Sequence, residues 1–296
     1  MTDSFISNAL RAFRALGNAM SMRGRFRAPR SILRRVFRWV RCEVTVPDFD
    51  GTYLVRLRLS EHMQRRIFWM GYYSTDIVAL LKMTLRPGMV VVDVGANIGE
   101  IAMVAARCVG REGSVIAFEP VGSIADTLAE HVRLNGLNQV IIRREALGKE
   151  GRSEVPIYAS CGQTVPDEHE GLASLYGAGE NGGPIDFVNI TTLDEAAASL
   201  SLARIDLIKI DVEGGELACL QGAENVLRRF KPLVIVEIQK FSAHQAGWEV
   251  EELFQYLSVL GYEFFRIGPE GRLTAVDVDS LADFQNVFCR VRGQAQ

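Results

Sequence analysis

Met89-Val90-Val91-Val92-Asp93-Val94-Gly95-Ala96-Asn97-Ile98-Gly99-Glu100 decides the fold. A β-branched run ends in Asp, a glycine-containing loop follows, and an apolar pattern of helical period comes next. This order reads as a buried strand feeding a tight turn and a helix N-terminus. Gly95 and Gly99 lack a Cβ, so the backbone there can bend sharply and admit a close ligand. The bland alternative is an ordinary strand-to-helix turn of an α/β protein.

Working outward, the same rhythm repeats. Ser114–Phe118 reads as a second strand ending in Glu119-Pro120, followed by a helix with Ile124, Leu128 and Val132 on one face and a stop at Asn135-Gly136. Val140–Ile142 is a third strand. Residues 205–210 form a fourth, ending in Asp211, with a helix carrying Leu217, Leu220, Val226 and Leu227 behind it. Residues 233–236 form a fifth, ending in Glu237. A helix over Val250–Leu260 and two closing strands, 262–267 and 287–291, complete the pattern. Alternating strands and helices predict an α/β fold: a Rossmann-like, mostly parallel, doubly wound sheet. The last two strands have no helix between them, so one is expected to be antiparallel. Residues 151–192 break the rhythm with frequent Gly and only partial strand signals, at 155–158 and 187–191. They read as an insertion that can act as a lid.

Upstream, Val44, Val46, Tyr53, Val55, Leu57 and Leu59 alternate around Asp50-Gly51, a hairpin signal. Residues 5–20 and 31–41 each gather apolar side chains on one helical face with Arg elsewhere. The expected organisation is a basic helical arm and hairpin over 1–60 and a catalytic domain over 61–296.

Composition sets the class. The chain has 296 residues, 48% hydrophobic and 23% charged, as in a globular enzyme. No apolar run is long enough to span a bilayer, and Arg interrupts every apolar run near the N-terminus. The five Cys (42, 108, 161, 219 and 289) form no C-x-x-C pair, which predicts free thiols, a reducing and therefore cytoplasmic setting, and no zinc site. The net charge of −3 conceals an asymmetry: residues 1–42 hold ten Arg against one acid, Asp3. A basic arm on an acidic body predicts either a peripheral contact with an anionic inner membrane face or a packed or homo-oligomer interface. No nucleic-acid-binding motif accompanies it.

The chemistry is expected at the C-terminal ends of the strands. Four of them end in acids, Asp93, Glu119, Asp211 and Glu237, which is too much negative charge for one mouth without a cationic or hydroxyl-rich ligand. Glu119 is placed to accept hydrogen bonds from a ribose diol. The loop is Asp-x-Gly-x-Asn-x-Gly rather than Gly-x-Gly-x-x-Gly, and its leading Asp suits an ammonium group better than a pyrophosphate. This favours S-adenosylmethionine over a nicotinamide cofactor. Among candidate bases, Asp211 comes first, then Glu237 and His244, with Glu213 as a further acid or a helix-end residue. Asp211 with Glu237 is the minimal set for a divalent cation, but no Asp-Asn pair supports one, and no metal is expected.

In this order, Val-Val-Asp-Val-Gly-Ala-Asn-Ile-Gly (91–99), Ala-Phe-Glu-Pro (117–120), Asp-Leu-Ile-Lys-Ile-Asp-Val-Glu-Gly-Gly-Glu (206–216) and Val-Ile-Val-Glu-Ile (234–238) resemble the FkbM family of S-adenosylmethionine-dependent methyltransferases. Gly-Tyr-Tyr (71–73) fits as well, and the resemblance covers roughly 65–265. It implies O-methylation of a sugar, glycan, glycolipid or secondary-metabolite hydroxyl. It also implies a methionine-end loop of Asp93, Gly95, Asn97 and Gly99, a ribose contact at Glu119, and adenine contacts at Glu145 and Ala146. Glu100 departs from the aromatic common at that place in the family. The competing readings are a nicotinamide-dependent oxidoreductase and a non-catalytic cofactor-binding scaffold.

Overall fold

The computed structural model describes residues 8–15, 34–35, 37, 39–159, 173–176, 183–276 and 281–293. They fall into two compact units that divide between Ser74 and Thr75. In the first, β1 (Glu43–Phe49) and β2 (Tyr53–Arg58) pair antiparallel, with Val44 opposite Leu57 and Val46 opposite Val55. Asp50 and Gly51 turn the chain with φ of 46° and 96°, which explains the Asp-Gly signal. Helix α1 (His62–Met70) follows and goes with the hairpin. Residues 8–15 of the arm are helical. Leu10 is buried there, and Arg14 donates through Nε to Phe68 O at 2.6 Å and pairs with Asp48. Within this unit the described arm helix is therefore packed against its own body. Of the helix expected at 31–41, Arg34 and Arg35 are helical, and 31–33, 36 and 38, like 5–7 and 16–20 of the first helix, lie outside the described residues.

The second unit holds α2 (Thr75–Thr84), β3 (Val90–Val94), α3 (Glu100–Val109), β4 (Ser114–Phe118), α4 (Gly122–Leu134) and β5 (Val140–Arg143). Next come β6 (Glu145–Leu147), β7 (Arg152–Ala159), β8 (Ala173–Ser174), β9 (Asp186–Thr191), α5 (Leu193–Ser199) and β10 (Leu207–Ile210). The remainder is α6 (Glu216–Gln221), α7 (Glu224–Phe230), β11 (Leu233–Gln239), α8 (Lys240–Gln245), α9 (Val250–Val259), β12 (Tyr262–Ile267), β13 (Leu273–Ala275) and β14 (Phe284–Val291).

Eight strands make the main sheet, in the order β13-β12-β14-β11-β10-β3-β4-β5. β5, β4, β3, β10 and β11 are parallel neighbours. Their near-continuous Val and Ile runs suit strands covered on both faces. β14 lies antiparallel between β11 and β12, which bears out the reversed strand expected near the C-terminus. A second reversed strand, the short β13, adds to the edge of β12. One face buries Val92, Ile208, Ile210, Val234, Val236, Leu220, Leu253 and Leu257 in a single core.

Chain order reverses at β3, which pairs with β4 on one side and with β10 on the other. Both strands end there in acid-bearing loops, at the switch point where open α/β sheets bind ligands.

Two local expectations change. The helix predicted through Leu217–Leu227 is two helices, α6 and α7, broken at Gly222. A Cβ on Gly222 would stand 1.9 Å from Gly148 O, so backbone contact fixes the break. Asp194 then caps the new start by accepting from Asn225 N and Val226 N at 3.0 and 2.8 Å. The 151–192 stretch is paired structure where it is described: β6, β9, β7 and β8 form a second, four-stranded sheet. Residues 160–172 and 177–182 of it lie outside the described residues.

Candidate active site

The loop after β3 is held by its own backbone. Gly95, Asn97 and Gly99 take φ of 72°, 49° and 95°. A Cβ on Gly95 would lie 1.9 Å from Asp211 O, so glycine lets the β3 loop touch the end of β10. Gly95 N and Ala96 N both donate to Phe118 O, at 3.0 and 2.9 Å. Asn97 N donates to Glu119 Oε2 at 2.9 Å, and Val121 N donates to Glu119 Oε1 at 3.0 Å. Glu119 thus staples the loops after β3 and β4. Beneath them the fully buried His131 meets Ile98 O through Nδ1 at 2.8 Å, a structural role.

Around this loop the acids fall into three kinds. Glu119 and Glu216 are satisfied by backbone N–H groups. Glu216 accepts from Val212 N at 3.2 Å and from Gly214 N at 3.1 Å, holding the turn that opens α6. Burial nevertheless pushes each of them up to about 7. Asp93 is different. It is fully buried, and neither carboxylate oxygen accepts a hydrogen bond from a described residue. The Lys209 ammonium stands 3.4 Å from its Oδ1. Burial raises the Asp93 pKa, and Lys209 opposes the rise. Asp211, one-third exposed, also lies 3.4 Å from Lys209 Nζ through Oδ2. Glu237 is held well above the carboxylate range, first by burial and then by Asp211 and Glu213.

Lys209 joins these groups. Its Nζ donates to Gly95 O at 2.9 Å and to Val94 O at 3.4 Å. Burial would lower its pKa, but Asp211, Asp93 and Glu237 together outweigh that and hold it charged.

Strand register explains why the acids converge. Lys209 pairs with Asp93 on one side and Ile235 on the other, Glu237 pairs with Asn286, and Gln239 pairs with Phe284. Paired residues share a face, as do residues two apart on a strand. Asp93, Lys209, Glu237, Gln239, Asn286 and Phe284 therefore line one face of the sheet, with Asp211 just beyond Lys209. Phe284 is exposed at the rim.

The structure brings together Asp93, Gly95, Asn97, Gly99 and Glu119 as one loop cluster, and Asp211 with Glu237 beside it. Glu145 opens β6 and pairs with Arg143 at 2.6 Å, while Ala146 is buried next to it. His244 is set apart: its side chain is 81% exposed on α8 and its Nδ1 lies 3.3 Å from Glu249 Oε1. Glu213 accepts from Ser242 Oγ at 3.2 Å and has φ of 51°, so it shapes the turn. Sequence reasoning gave no role to Lys209 or Trp248. Lys209 carried a readable signal, a lone cation in the apolar strand Leu207-Ile208-Lys209-Ile210, which burial obliges to find partners. Trp248 carried none. It locks the turn by donating from Nε1 to Gly214 O at 2.8 Å.

Comparison with known proteins gives the site a context. Residues 93–264 match the family model described as the methyltransferase FkbM domain. The AMB antimetabolite synthetase AmbE of Pseudomonas aeruginosa is 28% identical over 253 residues, which is 75% of this chain but 11% of the synthetase. Among solved structures, methyltransferase FkbM from Methylobacillus flagellatus superposes with a TM-score of 0.44 at 16% identity, covering 77% of this chain and 55% of that one. Fibrillarin from Aeropyrum pernix, in complex with natively bound S-adenosyl-L-methionine, superposes with a TM-score of 0.42 at 13% identity over 73% of each chain.

Proposed function

The chain belongs to the FkbM methyltransferase family, and from that premise we propose that it transfers a methyl group from S-adenosylmethionine to a hydroxyl oxygen of a sugar, glycan, glycolipid or secondary metabolite. The observation that carries this reading is Asp93: a buried carboxylate with two unfilled acceptor oxygens, directly under a glycine loop and beside Glu119. A carboxylate there favours a cationic amine and repels a pyrophosphate. Each Glu119 oxygen already accepts one backbone N–H and keeps a lone pair for a ribose hydroxyl.

When bound, S-adenosylmethionine supplies an electrophilic methyl group on a sulfonium leaving group. The protein then has two tasks, to align the acceptor and to take its proton. Asp93, Gly95, Asn97, Gly99 and Glu119 hold the donor, with Glu145 and Ala146 at the adenine end. Asp211 orients the acceptor hydroxyl and receives its proton at the carboxylate. It is the acid of the cluster that is both exposed and fixed by an ion pair. Glu237 lies alongside, its pKa pushed well up by burial and then by Asp211. Gln239 and Asn286 continue the polar face and end at Phe284, a surface suited to a ligand with several hydroxyls and an apolar side. No cation other than Lys209 is needed to balance Asp211.

The arm is proposed as an appendage packed on its own unit, where Leu10 is buried and Arg14 meets Phe68 O and Asp48, and its basic charge is proposed to suit an anionic surface or a second copy. No helix among the described residues is long and apolar enough to cross a membrane.

Calorimetric titration with S-adenosylhomocysteine tests the donor half: binding is expected in the wild type and lost in Asp93→Ala. An acceptor-library screen with labelled methyl donor tests the other half. Absence of binding in the wild type, or a folded Asp93→Ala that binds equally well, overturns the reading.

A further inference from the structure

Lys209 sits where two functions meet. Its ammonium is equidistant, at 3.4 Å, from Asp93 of the donor half and Asp211 of the acceptor half. It is anchored from below by the carbonyl of Gly95, in the loop that wraps the donor. We propose that Lys209 is a positioning residue that couples the two halves of the site, acting as the shared counter-ion of the donor carboxylate Asp93 and the acceptor carboxylate Asp211. The proposal rests on the donor reading above.

The physical basis is charge balance. Asp93 on β3, Asp211 after β10, Glu237 on β11 and Glu119 after β4 all act on this one ammonium or are acted on by it. Asp93 is fully buried, burial disfavours its ionised form, and Lys209 at 3.4 Å favours it. Asp211 draws on the same charge. What one carboxylate does is therefore felt by the other. Neutralising Asp211 leaves the ammonium to Asp93 alone and makes Asp93 easier to ionise. Removing the ammonium leaves the buried Asp93 carboxylate without its cation and still beside Asp211, which makes Asp93 harder to ionise. Because an incoming amine needs Asp93 ionised, these changes appear in donor-site binding before any methyl is transferred.

The geometry also orders the groups in space. Gly95 O receives the ammonium at 2.9 Å and Gly95 itself abuts Asp211 O. Lys209 thus ties the tip of the donor loop to the end of β10 by an ion pair as well as by backbone contact. A longer or shorter side chain in its place would move the loop relative to Asp211.

The test is calorimetry of S-adenosylhomocysteine binding from pH 5 to 8, in pairs of buffers of different ionisation enthalpy, so that proton exchange on binding is counted. The proteins are the wild type, Lys209→Met, Lys209→Arg and Asp211→Asn, each checked for folding by thermal melt. Lys209→Met is expected to bind about tenfold more weakly at neutral pH and to release more protons on binding than the wild type does. Lys209→Arg keeps the charge and is expected to restore the wild-type proton count, which a merely structural role would not achieve. Asp211→Asn, altered at a part-exposed position, is expected to shift the acid-side loss of affinity to lower pH. A folded Lys209→Met with the wild-type profile overturns the proposal. So does an Asp211→Asn profile that superimposes on the wild type, and this second arm decides the matter even where Lys209→Met does not fold. Failure of the wild type to bind at all strikes the donor reading instead, which separates the two outcomes.

Discussion

Replacing Glu119 by Gln probes the staple between the loops after β3 and β4. Glu119 accepts from Asn97 N through one oxygen and from Val121 N through the other, at 2.9 and 3.0 Å. An amide has one oxygen, so in either orientation its NH2 faces a backbone N–H. That loss costs about 1.5–3 kcal/mol, the usual worth of a hydrogen bond to a charged group. Against it stands the burial of the carboxylate, which raises its pKa from 4.5 to about 7. The sign follows from proton counts. Between these values the native protein holds a proton that the unfolded chain has released, so wild-type stability is present below pH 4.5 and is lost as pH rises through about 7. From pH 5 to pH 8 this amounts to about 2.5 kcal/mol, at 1.36 kcal/mol per pKa unit. The amide does not titrate and escapes the loss.

The stability difference between wild type and Glu119→Gln should therefore narrow by about 2–3 kcal/mol on going from pH 5 to pH 8. Urea unfolding of both proteins at four pH values across that range measures it. Using the difference cancels Glu216, which titrates in the same window and direction. A difference that stays flat to within about 0.5 kcal/mol would refute the upward shift of Glu119 on folding.

Gly95→Ala should cost about 2–4 kcal/mol in urea unfolding and weaken S-adenosylhomocysteine binding, because its Cβ would press on Asp211 O from 1.9 Å. Asp211→Asn should lower the methyl-transfer rate about 100-fold or more, whereas His244→Ala, at an 81% exposed position, should leave it within about twofold. The reverse ranking in a labelled-methyl assay would move the base to His244. Leu10→Ala should destabilise the hairpin unit by about 2–4 kcal/mol, since Leu10 is 2% exposed, and hydrogen exchange on β1 and β2 reports it.

The parts of this molecule legible in the sequence are those written in local chemistry. A β-branched run has one low-energy home in a buried parallel strand, and a glycine loop after it has one place to bend, so β3, β4, β10 and β11 and their acid ends could be read directly. Asp50-Gly51 and the alternation around it gave the hairpin for the same reason. What was not legible depends on contacts distant in sequence. Nothing near Gly222 announces that Gly148 presses on it, so one apolar pattern became two helices. The three-residue β13 exists because β12 offers it an edge. His244 had the residue type of a base, and only the placement of α8 shows that it faces outward. The four-stranded pairing within 145–191 depends on β9 meeting both β6 and β7, which Gly-rich spacing does not encode.

The buried acids also show why composition alone overstated the negative charge of the mouth. A carboxylate removed from water can be satisfied by backbone donors, by a cation or by a proton, and each device leaves it a different capacity. Glu119 and Glu216 use backbone donors, so their first duty is to fix turns. Glu237 is pushed well above the carboxylate range by burial and its acidic neighbours, which favours its protonated form. Asp93 and Asp211 stand nearest the ammonium of Lys209, and an ion pair at 3.4 Å leaves carboxylate oxygens open to a further partner. Those two therefore keep acceptor capacity beside the ammonium, one beneath the glycine loop and one at the open edge. An amine satisfies the first and a hydroxyl proton the second. In the proposed reading the methyl donor meets the first requirement and its acceptor the second.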